Sequence, residues 1–331
     1  MISTSTERAG HERVVASRPS LPAPAAIPVR GRLTVGARDA GFLLLAALAA
    51  VWLWQPLSTV IILSFKHGEY EHYSHIILIP LVTAALIYLR REVVFARVEY
   101  APTWGGALVA LGVMLSWVAR TGPIADPDRA FVSVAMLALV VLCAGAFLLC
   151  YGVGALKAAT FPVALLLFMI PLPPFLLEHV IVLLQKGSAE MTYVIFNLLG
   201  VPVYREGFFF ALPGLAIEVA EECSGIRSSL ALLITGFLAG NMLLRTPWTR
   251  TALLAAIVPI AIVKNAIRIV VLSLLSIYVD MGFITGKLHQ VGGIPLFFGT
   301  LLVVGGVVWI LQRLEARGNR GTDAARVTRL A

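Results

Sequence analysis

The sequence predicts an all-α polytopic membrane protein of about eight transmembrane helices, with an extracytoplasmic interfacial helix and a short β-hairpin-like excursion ahead of a cysteine. Three observations lead there. Hydrophobic residues make up 59% of the 331 and charged residues only 13%, and mean hydropathy is +0.89, a balance that excludes an ordinary soluble domain. Long apolar runs are separated by short loops. The net charge of +8 gathers at the chain ends and in those loops, the pattern of cytoplasmic loops facing anionic lipid, and it gives no reason to invoke nucleic acid.

Residues 1–38 are rich in Ser, Pro, Ala and Arg without apolar periodicity, so a disordered basic cytoplasmic tail is expected, followed by a transmembrane domain over 39–312. The first span runs from Gly41 to Phe65, interrupted at Gln55-Pro56, and a short one from Ile76 to Leu89 stops at Arg90-Arg91. Trp104 to Ala119 and Phe131 to Tyr151 follow, separated by a turn-rich loop containing Asp126. The fifth span, Phe161 to Leu177, contains Pro171 and Pro173-Pro174. Glu178 to Gly200 mixes Gln185, Lys186, Glu190 and Asn197 with leucines and valines and reads as a helix lying in the interface. Val201 to Ala220, with Gly207 and Pro213-Gly214, reads as the hairpin-like excursion. The last three spans are placed at about Ser228–Leu244, Thr251–Val279 and Gly292–Leu311, and an arginine-rich tail over 313–331 ends the chain.

Basic residues orient this bundle. Arg90, Arg91, Arg97, Lys157, Arg245, Arg250 and both termini are expected in the cytoplasm, and eight spans satisfy every placement. The expected location is the cell inner membrane. Residues Glu178 to Cys223, His75 and His289 then fall on the outer face. Arg268 follows Arg250 by 18 positions, about 27 Å of helix, and reaches the same side.

The stretch Glu221-Glu222-Cys223-Ser224-Gly225-Ile226-Arg227-Ser228 immediately precedes an apolar run. A thiolate is favoured at a helix N-terminus and beside cations such as Arg227, so Cys223 is a candidate nucleophile. A polar loop with an incidental thiol fits this segment equally well. Three cysteines, two of them (Cys143 and Cys150) in one apolar run, indicate no disulfide framework. Lys264, Asn265 and Arg268 interrupt an apolar run where a central charge costs about 2.5–3.5 kcal/mol on insertion scales; Arg268 either serves a site or snorkels to headgroups. His289 and His75 each fit a base at the site or a solvated loop side chain. His67 and His72 raise the question of a metal, but no firm ligand spacing supports one, and no cofactor is expected.

Ile170-Pro171-Leu172-Pro173-Pro174-Phe175, Val201-Pro202-Val203-Tyr204-Arg205-Glu206-Gly207 and Glu221 through Ser228 resemble the exosortase/archaeosortase family, as do Tyr73-Ser74-His75, Asn265-Ala266-Ile267-Arg268 and the His289 segment. The resemblance runs in order over about residues 50 to 310. It implies a membrane-embedded cysteine transpeptidase or protease with Cys223, Arg268 and His289 as its catalytic groups. His75, Glu221, Arg227, Asn265, Tyr204 and Arg205 are expected to bind substrate or support the site. It also implies substrates: secreted proteins ending in a Pro-containing motif, one transmembrane helix and a basic cluster. The acceptor nucleophile is not legible. Two departures stand out: Glu222 occupies a position where the family often has a small residue, and Ile76 follows His75 where it often has glycine. A rival from another class is a transporter or scaffold subunit of an envelope polysaccharide export system, in which Lys264 and Arg268 line an anion path. A metal-dependent intramembrane protease is a third reading.

Overall fold

The computed structural model describes residues 36–65, 75–121, 127–220, 224–285 and 293–328. Residues Ala37–Ala331 form one compact unit. The expected N-terminal tail lies, through residue 35, outside the described residues, and the first helix already begins at Ala37.

Helices α1 (Ala37–Trp52) and α2 (Trp54–Phe65) meet at 80°. The cause is Pro56. It has no N–H to give the carbonyl of Trp52, and its ring crowds that carbonyl. Arg120 fills the gap, donating from Nη2 to the Trp52 carbonyl at 2.8 Å. Helix α3 (Leu78–Leu89) has 12 residues, about 18 Å, and the short α4 (Arg91–Val94) follows it. Helices α5 (Pro102–Thr121) and α6 (Pro127–Ala158) pack as a small-residue pair. A Cβ on Gly105 would lie 2.7 Å from Leu149, and one on Gly145 would lie 2.9 Å from Val109. Without a hydrophobic drive between helices in lipid, such close approach supplies the dispersion contact. Helix α6 is interrupted at Gly152, whose φ of 85° is open to glycine and which lies against the Glu99 carbonyl.

Helix α7 (Thr160–Leu165) tightens into a 3₁₀ turn (Leu166–Met169), and the chain then bends by 89° into α8 (Pro174–Leu198). The break therefore falls at residues 170–173 and not after Leu177. Pro174 opens α8, where its missing N–H costs nothing. The expected fifth span and the expected interfacial helix are thus divided differently, because Phe175 to Leu177 belong to the 25-residue α8.

Where a hairpin-like excursion was expected, the chain forms an antiparallel meander of β1 (Tyr204–Glu206), β2 (Phe209–Leu212) and β3 (Leu215–Glu218) in the order β1-β2-β3. Tyr204 pairs with Ala211, and Phe210 with Ile217. Phe210 is fully buried against Phe196 of α8, and Val219 and Val270 complete this apolar layer.

Helices α9 (Ile226–Leu243) and α10 (Pro247–Tyr278) form a tight antiparallel pair. After the short α11 (Gly282–Thr285), α12 (Gly293–Thr328) runs on through the expected tail boundary at 312/313. Glu315 of α12 clasps the α9–α10 turn. It accepts from the amides of Arg245 and Thr246 at 3.0 and 2.7 Å and from the Thr249 hydroxyl at 2.6 Å.

Among the described residues five helices are long and apolar enough to cross a membrane, or up to 7 spans if each bent pair is one. The expected eight would require α3 to cross as well, against a hydrocarbon thickness of about 30 Å.

Candidate active site

Three helices converge on the turn that opens α9. Gly225 caps this helix with φ 76°, a left-handed conformation that disfavours any side chain. It also lies against α10: a Cβ there would sit 2.8 Å from Asn265 Oδ1. Asn265 is 1% exposed and donates from Nδ2 to Ser188 Oγ of α8 at 3.0 Å. One residue earlier on α10, Lys264 is 8% exposed, and its Nζ donates to Ser228 Oγ in the first turn of α9. Ser228 in turn donates to the Gly225 carbonyl at 3.0 Å, and Ser229 does so at 2.9 Å. Arg268 lies one turn beyond Lys264 and is half-buried. Arg227 is exposed on the first turn of α9.

On the other side of the turn, Gln185 of α8 donates from Nε2 to the Val219 carbonyl at 2.5 Å. Val219 and Ser224 are each 1% exposed. Val219 is thus held by α8, and Gly225 is held by α10. Glu221 and Cys223 lie outside the described residues, and so do His289, His67 and His72. Covalent geometry alone keeps the Cα of residue 223 within about 11 Å of that of Ile226, three peptide units away.

The remaining expected residues are spread more widely. His75 is half-buried at the entrance to α3, whose main neighbours are α7 and the 3₁₀ turn and not α10. Ile76, the residue after it, is buried in the cluster that holds Ile79, Leu165 and Met169. Tyr204 is exposed on β1. Arg205 ties the meander to α8, with a 2.9 Å ion pair to Glu190, a 2.8 Å bond from Nε to the Gly207 carbonyl and the rings of Tyr193 and Phe210 beneath it. Cys143 and Cys150 are free thiols within α6. Among the described residues no three His, Cys, Asp or Glu side chains gather as a metal site would need.

The site also contains groups that the sequence did not single out. Gln185, Ser188 and Thr192 form a buried polar stripe along α8. Their spacing of three and four is the available signal, but charged Lys186 and Glu190 between them are exposed and dominate the pattern. Ser228 stood in the sequence only as the end of the Glu221–Ser228 motif, and its bond with Lys264 had no signal because it depends on the register of α9 against α10. Ser224 Oγ and Thr192 Oγ1 are buried without a hydrogen-bond partner among the described residues.

A cation, a helix N-terminus and a polar turn, buried between helices, make a place where negative charge can develop. The model of the transmembrane exosortase family matches residues 67–306. No curated protein and no solved structure gives a match.

Proposed function

The chain belongs to the transmembrane exosortase family, and from that premise we propose that it is a membrane-embedded cysteine transpeptidase or protease that processes C-terminal sorting signals of secreted proteins. The observation that carries this reading is the grip of α10 on the head of α9. Lys264 and Asn265 hold the turn two residues after Cys223, and Arg268 follows one turn along the same helix.

In the proposed reaction the Cys223 thiolate attacks the scissile carbonyl. A carbon–sulfur bond forms, and the carbonyl oxygen takes up the charge, which Arg268 stabilises. Collapse breaks the carbon–nitrogen bond, and His289 as imidazolium gives its proton to the leaving amine. The resulting thioester is released when an acceptor nucleophile, or water, attacks the same carbonyl and gives its proton back to His289. Asn265 and Arg227 support the turn, Glu221 and Tyr204 border the substrate path, and His75 shapes its mouth. In this reading the protein sits in the inner membrane with Arg245, Arg250 and both termini facing the cytoplasm, an orientation that the basic loops favour. A signal helix inserted with its basic end inside then offers its Pro-containing motif at the outer face, on the side of Cys223.

The test is Cys223→Ala in cells that carry a tagged candidate substrate. The variant should accumulate unprocessed substrate at normal membrane abundance; undiminished processing overturns the proposal and favours a transport or scaffolding role.

A further inference from the structure

Helix α12 turns one face to the protein and leaves the opposite face open. Val304 and Val308 pack into the cluster that holds Leu253 and Ile257 of α10. Glu315, on the same side, is taken up by the α9–α10 turn. On the far side Leu302, Gly306, Ile310, Arg313 and Arg317 follow one another at intervals of three and four, and so line one stripe. Leu302 is 79% exposed, and a Cβ on Gly306 would meet nothing within 4 Å.

The end of this stripe is an open groove of about 370 Å³ lined by Trp309, Ile310, Arg313, Leu314 and Arg317. The Arg313 guanidinium lies 5.0 Å from the centre of the Trp309 ring, a contact that keeps it over the apolar floor. Arg317 follows one turn later, about 6 Å along the axis. Like charges at this spacing repel. Among the described residues the ion pair is that of Arg205 with Glu190, and neither arginine of the groove has one. The apolar stretch of α12 long enough to cross a membrane is Pro295–Arg317. Groove and guanidiniums therefore lie at its end, where acyl chains give way to headgroups and where Trp and Arg are favoured.

We propose that this groove binds an anionic phospholipid, with an acyl chain along Leu302, Gly306 and Ile310 and the phosphate between Arg313 and Arg317. The missing side chain at Gly306 leaves a trough for the chain. Two guanidiniums grip phosphate oxygens through paired hydrogen bonds, and the anion offsets their mutual repulsion. Charge also decides among occupants. A transmembrane helix with a basic end would add cations to the arginine pair. A second copy in the same membrane orientation, packed on this face about a two-fold axis, would set the arginines against themselves. The general attraction of basic loops to a charged leaflet is diffuse; this site is local and depends on two side chains.

The experiment reads Trp309 fluorescence in the full chain reconstituted into phosphatidylcholine nanodiscs. Trp309 is one of six tryptophans, so its signal is the difference between wild type and Trp309→Phe. Phosphatidylglycerol brominated on its acyl chains is titrated in and compared with brominated phosphatidylcholine. The anionic lipid should half-quench Trp309 at a mole fraction about thirtyfold lower, since each nearby arginine contributes about fivefold. Arg313→Gln should lose about fivefold of this preference, and the double variant Arg313→Gln/Arg317→Gln should lose all of it. Arg97→Gln, an exposed cation on the α4–α5 connection, should keep it. Equal quenching by the two lipids in the wild type overturns the proposal. So does an equal loss in Arg97→Gln, which marks diffuse attraction, or reversal by inorganic phosphate at constant ionic strength, which marks a free-anion site. Protection of Trp309 from both lipids in discs that hold two chains gives the face to a second copy and overturns it too. None of these outcomes bears on Cys223→Ala, so the transpeptidase reading stands or falls separately.

Discussion

A methyl group on Gly225 would meet Asn265 Oδ1 at 2.8 Å, on a backbone whose φ of 76° already disfavours a side chain. The left-handed conformation alone costs about 1–2 kcal/mol for an L-residue. Gly225→Ala should therefore lower thermal stability in detergent, and combined with Asn265→Ala, which itself loses the Ser188 bond, it should cost less than the sum of the two single losses. Strictly additive losses would mean that α10 does not press on the turn. Arg268→Lys tests the other end of the site. It keeps the charge but loses the planar fork, and processing should drop by about 10²–10³, the usual loss for one oxyanion donor. His289→Ala should insert normally and fail to turn over, and His75→Ala should lose less, in keeping with its place at α3. Comparison at matched membrane abundance decides between them; the reverse order makes His75 the base. The sequence marks these residues by type, yet it is silent on the bond between Ser228 and Lys264, because that depends on how α9 lies against α10.

At the scale of elements, α8 is the helix whose buried side was least legible. Its exposed residues include Glu178, Lys186 and Glu190, the pattern read as an interfacial helix, while Gln185, Ser188 and Thr192 are buried. A polar side chain that faces a partner helix is indistinguishable in hydropathy from one that faces water. The break before α8 is hard to place for a related reason: the chain is apolar on both sides of the bend, through Phe175 to Leu177, and only Pro171 and Pro173-Pro174 mark it. Pro56, by contrast, signals its bend openly, since a missing donor has a local and unavoidable consequence. The role of Gln185 is testable. Gln185→Leu preserves bulk but leaves the buried Val219 carbonyl without its bond, a loss of about 1–3 kcal/mol. Limited proteolysis of membranes should then cut between 219 and 224 faster than in the wild type; unchanged cleavage would show that α8 does not restrain the segment ahead of Cys223.

Across the whole molecule, hydropathy and the clustering of basic residues made the multi-pass membrane character legible, and ordered short motifs made the family legible. The number of crossings was not, because a 12-residue α3 and two sharply bent helix pairs read as plain apolar runs along the chain. The proposed orientation has its own check: reporter fusions at Tyr204 should be active outside and those at Arg245 inside. The opposite pattern would put the head of α9 on the wrong side for a secreted substrate. The measurement that bears most directly on the account is capture of the covalent intermediate. A tagged sorting-signal substrate is expressed with the full chain in native membranes, the reaction is quenched with acid, and the adduct is mapped by mass spectrometry. The account predicts a hydroxylamine-sensitive thioester on Cys223 that is absent in Cys223→Ala and accumulates when the acceptor is withheld. Substrate processed without any adduct at Cys223, or an adduct that persists in Cys223→Ala, would contradict it.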